Sequence, residues 1–194
     1  MILGQSRVAK KAAVRQSIIN AALKLFCERG FDSTTVEELA VAADVSRRTF
    51  FRYFETKEAA FFANHEHRLL IFRERIKVPQ KGEGPEQTVM RVCLEMAGMY
   101  MSERDVALAQ HVTIESSKSL KAYDQRLDAD WEEAIREVLQ GTDPLEALVL
   151  AGAIIGGVRA VLREWFLRGA EDNLVEMGEA AFRIIGVPRG GQLR

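Results

Sequence analysis

The sequence predicts an all-α protein with about nine helices, and three observations lead to this fold class. Only 4 of the 194 residues are proline, and the abundant Ala, Leu, Glu and Arg favour helices over strands. Apolar residues recur at helical spacing along most of the chain. Capping residues and glycines mark where individual helices begin and end, and we find no alternating strand pattern, internal repeat or low-complexity tract.

Two helices are predicted at the N-terminus. Apolar side chains within residues 14–26 recur at helical spacing, and Gly30 supplies a C-terminal stop for this first helix. Thr34 and Glu37 then stand three residues apart, which is the spacing of a capping box. We therefore expect Thr34 to cap a short second helix that ends around residues 42–44.

Ser46 is placed to cap a third helix, whose aromatic and basic residues separate onto two faces. At roughly 100° per residue, Phe50 and Phe54 fall on one side and Arg48 and Arg52 on the opposite side. Together with the preceding helix and a short turn, this forms a helix-turn-helix, whose second helix enters the DNA major groove. A merely solvated basic face is the alternative, but the caps and the basic N-terminus favour DNA binding.

Caps, prolines and glycines also divide the remainder of the chain. Thr56 is placed to cap a fourth helix that runs to about Lys77. Residues 79–85 contain two prolines and two glycines, and we interpret them as a linker within a helical body. Asp143 followed by Pro144 is a helix start signal. The later helices are expected at about 86–101, 104–117, 119–140, 144–168 and 172–185.

Basic residues concentrate near the N-terminus. Residues 1–60 carry ten lysines and arginines against seven acids, whereas the remaining 134 residues carry 17 basic and 21 acidic residues. The overall charge of −1 therefore conceals a basic head on an acidic body. This asymmetry predicts that only the first part of the chain contacts a polyanion.

The composition indicates a soluble cytoplasmic protein that does not enter a membrane. Cys27 and Cys93 lie in apolar helical patterns, so we expect buried free thiols, with a disulfide as the less favoured alternative. The opening segment is too short and polar for a secretory signal. The longest uncharged apolar run, residues 147–158, is shorter than the ~18 residues that a membrane span needs.

Two stretches carry a family resemblance, FDSTTVEELA at residues 31–40 and VSRRTFFRYFETKE at residues 45–58. In their caps, turn, aromatic pair and lysine they resemble the TetR family of bacterial repressors, over about residues 12–60. The rest of the chain resembles the family in helix count and length. The resemblance implies a DNA-binding helix-turn-helix domain at residues 1–55 and a ligand-binding and dimerisation domain at residues 56–194.

The resemblance also implies a role for each matching position of the head. Contacts to bases or nearby phosphates are implied for Arg47, Arg48, Thr49, Phe51 and Arg52, and contacts to the phosphate backbone for Thr35, Tyr53 and Lys57. Phe51 stands where most members have tyrosine, so a phosphate hydrogen bond is missing and a thymine methyl group is an alternative partner. Asp44 replaces the usual turn glycine and is expected to adopt a left-handed conformation.

Small and apolar residues form a stripe on each of the last two predicted helices. The resemblance implies that these helices form a four-helix interface in a homodimer, and burial within one subunit is the alternative. The stripes include Leu148, Gly152, Ile155, Gly156, Leu162, Leu174, Met177, Ala181 and Ile184. A homodimer would place its two heads on half-sites of a pseudo-palindromic double-stranded operator, about one DNA turn apart.

A ligand pocket is expected among the helices between residues 86 and 140, as the resemblance implies. Its candidate lining residues are Met96, Met99, Tyr100, His111, Ile114, Trp131, Ile135, Trp165 and Phe166. Methionines and aromatics at helical spacing are also typical of a plain core. Residues 107–115 resemble TetR members that sense acyl-CoA-like ligands, so a small apolar or acyl-type ligand is expected. The candidates for meeting its phosphate or carboxylate are Arg126, Arg136, Arg159 and Arg163.

Catalytic or metal-binding chemistry is not indicated by the sequence. We find no Ser/His/Asp grouping, metal-ligand spacing or phosphate-binding glycine loop. His65 and His67 point in nearly opposite directions on a helix, so they are a poor metal pair. We therefore expect no enzyme, cofactor or metal, with a small all-α enzyme or carrier, or a helical scaffold, as the rival classes. The leading hypothesis is a ligand-responsive transcriptional repressor.

Overall fold

The computed structural model describes the backbone of residues 2–139, 141 and 143–187, and side chains from residue 8 onward within these ranges. The residues described form ten α-helices and no strand, which confirms the all-α class and is close to the expected helix count. The helices are α1 (Ile2–Arg29), α2 (Val36–Ala42), α3 (Arg47–Tyr53), α4 (Lys57–Phe61), α5 (Ala63–Ile76), α6 (Pro85–Ser102), α7 (Arg104–Ser116), α8 (Lys118–Val138), α9 (Pro144–Leu167) and α10 (Leu174–Ile185).

The fourth predicted helix is two helices in the structure. Thr56 caps α4 as predicted, because its hydroxyl accepts a hydrogen bond from the backbone N–H of Ala59 at 3.1 Å. The helical path then breaks at Phe62, whose ring is buried and stacks on Tyr123 with 5.0 Å between ring centres. Neither glycine nor proline marks this break, and the ring contact with a distant residue is one that periodicity does not show.

The capping box of α2 lies one residue later than predicted. Thr35, not Thr34, accepts a hydrogen bond from the Glu38 N–H at 3.2 Å, and the Glu38 carboxylate accepts one from the Thr35 N–H at 2.8 Å. The Thr34 hydroxyl is buried and donates to the Gly30 carbonyl at 2.8 Å. Both Thr-x-x-Glu spacings fit the motif, and the burial of Thr34 selects the second. The hydrogen bond from the Thr35 backbone is the main reason that the pKa of Glu38 is lowered.

Glycine, proline and capping signals mark several of the other helix ends, with one correction. Gly30 has a φ of +86° directly after α1, and Asp143 caps α9 ahead of Pro144, both as predicted. The last helix begins later than expected, because Asn173 rather than Asp172 caps α10. The Asn173 side chain accepts hydrogen bonds from two backbone N–H groups of the first turn, which stabilises this start.

The chain divides into two compact units. The first contains Met1–Glu66 and Ala109–Tyr123, and the second contains His67–Leu108 and Asp124–Arg194. The predicted division between residues 55 and 56 separates functions rather than packing units, and it stays a prediction.

An aromatic core holds the first unit together. Phe26 is 1% exposed, and its ring centre lies 4.9 Å from that of Phe31 and 5.6 Å from that of Phe61. Phe50 of α3 is fully buried in the same unit. Since burying one such ring stabilises a fold by about 1.5–3 kcal/mol, these aromatics set the position of the short helices.

The second unit contains two apolar clusters. The larger one includes Phe72, Ile154 and Phe182, and the smaller one surrounds Trp165, whose indole N–H donates to the Asp172 carbonyl at 2.9 Å. α10 packs against both α6 and α9. At Gly178 a Cβ atom would lie only 2.9 Å from the Leu94 side chain, so a small residue allows the close approach of α10 to α6.

The expectation of buried thiols is wrong for one of the two cysteines. Cys27 is exposed rather than buried, and its thiol lies 3.8 Å from the Ala109 carbonyl. Cys93 is half-buried, and burial raises the pKa of its thiol to about 12; both cysteines are free.

By length and composition alone, α9 is apolar enough to cross a membrane, although only 22% of its most apolar window is buried within the chain. The exposed apolar surface of α9 also suits a helix that packs against another protein chain.

Candidate nucleic-acid interface

α2 and α3 form a helix-turn-helix with a tight connecting turn. Asp44 has a φ of +53°, the left-handed conformation predicted for this position. The Val45 N–H then donates to the Ala40 carbonyl at 2.9 Å, which closes the turn. The Ser46 hydroxyl caps α3 by accepting from the Thr49 N–H at 3.0 Å. These local bonds fix the direction in which α3 leaves the turn.

The two faces of α3 are placed as the sequence predicts. Phe50 and Phe54 are 0% and 6% exposed, and their ring centres lie 6.1 Å apart in the core of the first unit. The guanidinium of Arg15 lies over the Phe54 ring at 5.1 Å. On the other side, Arg48 and Arg52 are exposed. The aromatic face therefore anchors the helix while the basic face remains available to a partner.

Arg47 is held in place at the start of α3. Its guanidinium forms an ion pair with Glu37 of α2 and lies 5.6 Å from the centre of the Phe51 ring. Phe51 is 43% exposed and packs edge-on against Phe50. A cation between a carboxylate and a ring face has fewer accessible rotamers than a free arginine, so this contact preorganises Arg47.

Arg48 and Arg52 are less constrained. Within the part of the chain that the structure describes, neither a hydrogen bond nor an ion pair engages the Arg48 side chain. Arg52 lies over the ring of its neighbour Tyr53 at 5.4 Å. An exposed guanidinium has five N–H donors, and its fork matches the O6 and N7 acceptors of guanine. The chemistry of this face is therefore suited to the DNA major groove.

Lys57 has an internal role that the sequence did not reveal. Its ammonium group donates to the carbonyls of Phe31 at 2.7 Å and Thr34 at 3.0 Å, and it lies 4.0 Å from the centre of the Phe31 ring. An ammonium group has three donors, so one remains for a phosphate. Lys57 thus joins α4 to the loop before α2, in addition to its implied role at DNA.

The other head residues predicted to contact DNA are partly occupied by local bonds. The Thr35 hydroxyl is used in the capping box of α2, and the Thr49 hydroxyl lies 3.0 Å from that of Ser46. Tyr53 is half-buried at the end of α3. Sequence reasoning missed Glu37, because it assigned this residue to the capping box. The three-residue spacing of Thr35 and Glu38 was the signal that could have assigned the capping box to Glu38. Glu37 would then have been available as the partner of Arg47.

The nine residues predicted to line a pocket belong to both compact units. His111 and Ile114 belong to the first compact unit, and the other seven belong to the second. Burial lowers the pKa of His111, although the nearby Glu115 carboxylate opposes this. In the second unit, Met96, Met99, Trp131 and Ile135 lie in or against the larger apolar cluster, and Tyr100, Trp165 and Phe166 in or against the smaller one.

An open cleft of about 730 Å³ lies elsewhere in the second unit, beside the linker and α6. Its apolar residues are Met90 and Leu94, and none of the predicted pocket residues lines it. Arg91 bonds to Glu83 and Glu95 at 2.8 Å each, so its charge is neutralised within the cleft. Hydrogen bonding to Glu83 is the main reason that the pKa of Arg91 is raised. This network ties the linker to α6.

The predicted interface stripes are partly exposed and partly used in the core of the protomer. Leu148 is 50% and Ile184 is 87% exposed, whereas Ile155 and Leu174 are only 6% and 2% exposed. The half-buried members of the stripes are Gly152, Gly156, Leu162, Met177 and Ala181. Ile155 and Leu174 have little surface left for a partner, because they pack within their own subunit.

The four arginines proposed for a ligand anion lie at the surface. Arg126 and Arg163 are exposed, Arg136 pairs with Glu133 at 2.6 Å, and Arg159 pairs with Asp128 at 3.1 Å. Among the described residues, no group of three or more His, Cys, Asp or Glu side chains is arranged to hold a metal ion.

Known proteins are similar both to the helix-turn-helix head and to most of the chain. The model for "Bacterial regulatory proteins, tetR family" matches residues 18–63. The HTH-type transcriptional regulator TcmR of Streptomyces glaucescens is 28% identical over 178 residues, which cover 86% of this chain and 79% of TcmR.

Solved structures share the whole fold. FadR of Thermus thermophilus, a TetR-family transcriptional repressor in complex with lauroyl-CoA, has a TM-score of 0.66 at 24% identity, covering 93% of this chain and 96% of that chain. SmeT of Stenotrophomonas maltophilia, in complex with triclosan, has a TM-score of 0.68 at 19% identity, covering 94% of this chain and 97% of that chain.

The matched residues 18–63 include the complete helix-turn-helix with its anchored aromatic face and exposed arginines. The similarity to TcmR extends well beyond this head, over most of both chains. The head of the chain, residues 18–63, belongs to the TetR family of bacterial regulatory proteins, and the chain is a DNA-binding transcriptional regulator.

Proposed function

We propose that the protein is a cytoplasmic repressor that binds a pseudo-palindromic operator as a homodimer and is released by a small, largely apolar ligand. The DNA-binding domain comprises residues 1–55, and the ligand-binding and dimerisation domain comprises residues 56–194. Catalysis, a cofactor and a metal have no part in this function.

The observation that carries the proposal is the division of α3 into an anchored face and a free basic face. Phe50 and Phe54 are buried, while Arg48 and Arg52 are exposed on a helix of the right size for the major groove. We assign Arg48 and Arg52 to base contacts, since both guanidinium groups are accessible. Arg47 stands at the N-terminal end of α3, where a helix in the groove comes closest to the bases.

Further assignments follow from position. Thr49 is half-buried and directly follows Arg48, and the Phe51 ring, which is 43% exposed, offers an apolar contact for a thymine methyl group. Thr35, Tyr53 and Lys57 lie at helix ends, where phosphate contacts set the register of the head on the duplex. Of these, Lys57 brings a full charge and one free donor.

Dimerisation is assigned to the exposed parts of α9 and α10. Leu148 and Ile184 are large apolar side chains in contact with solvent in the single chain. Gly152 and Gly156 lie one turn apart on α9, so they allow another helix to approach closely. Exposed apolar surface of this kind marks an interaction site, and a symmetric dimer supplies the two heads that an operator needs.

The ligand is assigned to the apolar interior of the second unit. FadR of Thermus thermophilus was solved with lauroyl-CoA and SmeT with triclosan, both of which contain substantial apolar groups. Here Met96, Met99 and Tyr100 place adaptable and aromatic side chains on successive turns of α6. Methionine side chains repack easily, so they can open space for an acyl chain or an aromatic ring.

Operator selection followed by titration tests the proposal. Genomic fragments that the protein retains would yield the operator, and fluorescence anisotropy would then measure its affinity with and without lauroyl-CoA or triclosan. We expect salt-dependent binding to one discrete sequence and a loss of affinity when ligand is present. Equal affinity for selected and random DNA would refute recognition of a specific operator. Selective binding that no small molecule weakens would refute release by ligand.

A further inference from the structure

Arg68 of α5 is unusual among the charged residues of the described chain. Its side chain is 6% exposed, and no other described Lys, Arg, Asp or Glu residue is buried. Removing a charge from water is costly, so such a group needs a close counter-charge and further support. Arg68 has both, in Glu103 and Tyr100.

The two partners of Arg68 differ in how firmly they are held. Its guanidinium lies over the Tyr100 ring at 4.4 Å from the centre, and burial raises the pKa of Tyr100, which keeps this phenol neutral. The Glu103 carboxylate bonds to Arg68 at 2.6 Å but is 51% exposed. A half-exposed carboxylate returns to water at small cost, whereas the buried guanidinium does not. The anion on Arg68 is therefore the exchangeable partner.

Arg68 also stands where a polar group meets apolar surface. Tyr100, on which it lies, packs against the Trp165 cluster together with Phe166, and Met99 of the same helix packs against the larger cluster. A site with one buried cation beside methionine and aromatic side chains matches an amphiphile with an anionic end and an apolar body.

We propose that Arg68 is the anion-recognition residue of the ligand site, and that a carboxylate or phosphate on an apolar ligand displaces Glu103 from it. This inference rests on the proposed release by an apolar ligand and adds the charge of that ligand. Asp124 also lies close enough to Tyr100 to act on its pKa. A bound anion must therefore replace Glu103 rather than add to it, since a third negative charge near Tyr100 and Arg68 would be repelled by the other two.

Three probes of equal chain length test the charge requirement: laurate, lauroyl-CoA and 1-dodecanol. Isothermal titration calorimetry on the full chain would give the dissociation constant of each. We expect laurate, lauroyl-CoA or both to bind roughly tenfold more tightly than 1-dodecanol, which is the usual effect of one charge-assisted hydrogen-bonded pair. Tighter binding of laurate would indicate recognition of a carboxylate. Tighter binding of lauroyl-CoA alone would indicate recognition of a phosphate.

Two variants and one control locate the effect. Arg68→Gln should remove the preference for the anionic probe, whereas Arg75→Gln, which breaks another α5 ion pair with Glu95, should leave it unchanged. Glu103→Gln should tighten binding of the anionic probe roughly three- to tenfold, because the competing carboxylate is gone. A purely structural ion pair would give no such gain, and Glu103→Gln alone decides the test if Arg68→Gln does not fold.

The inference is overturned if neither anionic probe binds wild-type protein more tightly than 1-dodecanol, or if Glu103→Gln gives no gain. In either case a ligand without charge can still release operator DNA, which would leave the proposed function intact. Failure of every small molecule to weaken operator binding would refute the proposed function instead.

Discussion

The ammonium group of Lys57 donates hydrogen bonds to the backbone carbonyls of Phe31 and Thr34 and lies over the Phe31 ring at 4.0 Å. Phe31 and Thr34 precede Lys57 by 26 and 23 positions in the chain. One lysine therefore joins the start of α4 to the loop that precedes α2. Because the helix-turn-helix begins at this loop, Lys57 stabilises the head that it is also expected to attach to DNA.

Lys57→Met should destabilise the protein as well as weaken DNA binding. Methionine retains most of the apolar stem but leaves two carbonyls without their donor, which costs about 1–3 kcal/mol in the free energy of unfolding. Chemical denaturation would measure this loss, with Lys24→Met at an exposed position of α1 as the control. Loss of DNA affinity at unchanged stability would show that phosphate binding is its sole role.

Arg48→Ala should relax sequence preference. The free guanidinium of Arg48 is expected to contact a base, and loss of such a contact costs about 1–3 kcal/mol of discrimination against the wrong base pair. Anisotropy titrations on the selected operator and on random DNA would measure the ratio of the two affinities. We expect this ratio to fall for Arg48→Ala but not for Arg104→Ala, an exposed arginine of the second unit. Equal losses on both DNAs would assign Arg48 to phosphate.

The faces of α3 could be predicted from sequence because the signal is local. Phe50 and Phe54, like Arg48 and Arg52, lie four residues apart, and helical geometry alone places each pair on one side. The cap at Ser46 and the left-handed turn at Asp44 are equally local, and both are confirmed.

Contacts between distant segments could not be predicted in the same way. Glu37 fits one capping box and Glu38 another, and only the burial of Thr34 selects between them. The helix break at Phe62 lies where its ring stacks on Tyr123, which is far away in the chain. Periodicity likewise shows that His111 faces apolar neighbours, but it does not show which compact unit these neighbours belong to.

Glu37→Gln should strengthen binding to DNA of any sequence. The Glu37 carboxylate pairs with Arg47 on the surface proposed to face DNA, where it would repel phosphates and reduce the charge that Arg47 presents. Removing it should raise affinity for random DNA a few-fold and steepen the salt dependence, since one more cation releases counterions. Glu28→Gln, an exposed acid of α1, is the control. If affinity falls instead, Glu37 serves chiefly to position Arg47.

His111→Gln should make the protein less sensitive to mild acid. Burial lowers the pKa of His111 in the folded state, so the folded protein binds this proton less readily than the unfolded chain does. The stability contributed by neutral His111 is complete above its unfolded pKa of about 6.5 and is lost as the pH falls below it. The difference in Tm between wild type and His111→Gln should therefore shrink from pH 7.5 to pH 5.5. His67→Gln, at an exposed position, should follow the wild type; a constant Tm difference for His111→Gln would contradict this assignment.

Ile184→Glu should yield a monomer that folds but binds the operator weakly. Ile184 is 87% exposed on α10, so a charge there costs little within the subunit but would be buried in a dimer without a partner. Light scattering coupled to size exclusion would measure the mass, and operator affinity should fall because one head makes half of the contacts. Leu70→Glu changes a similarly exposed apolar residue, on α5, and should remain dimeric. If Ile184→Glu is dimeric with unchanged operator affinity, the interface lies on another surface than the one formed by α9 and α10.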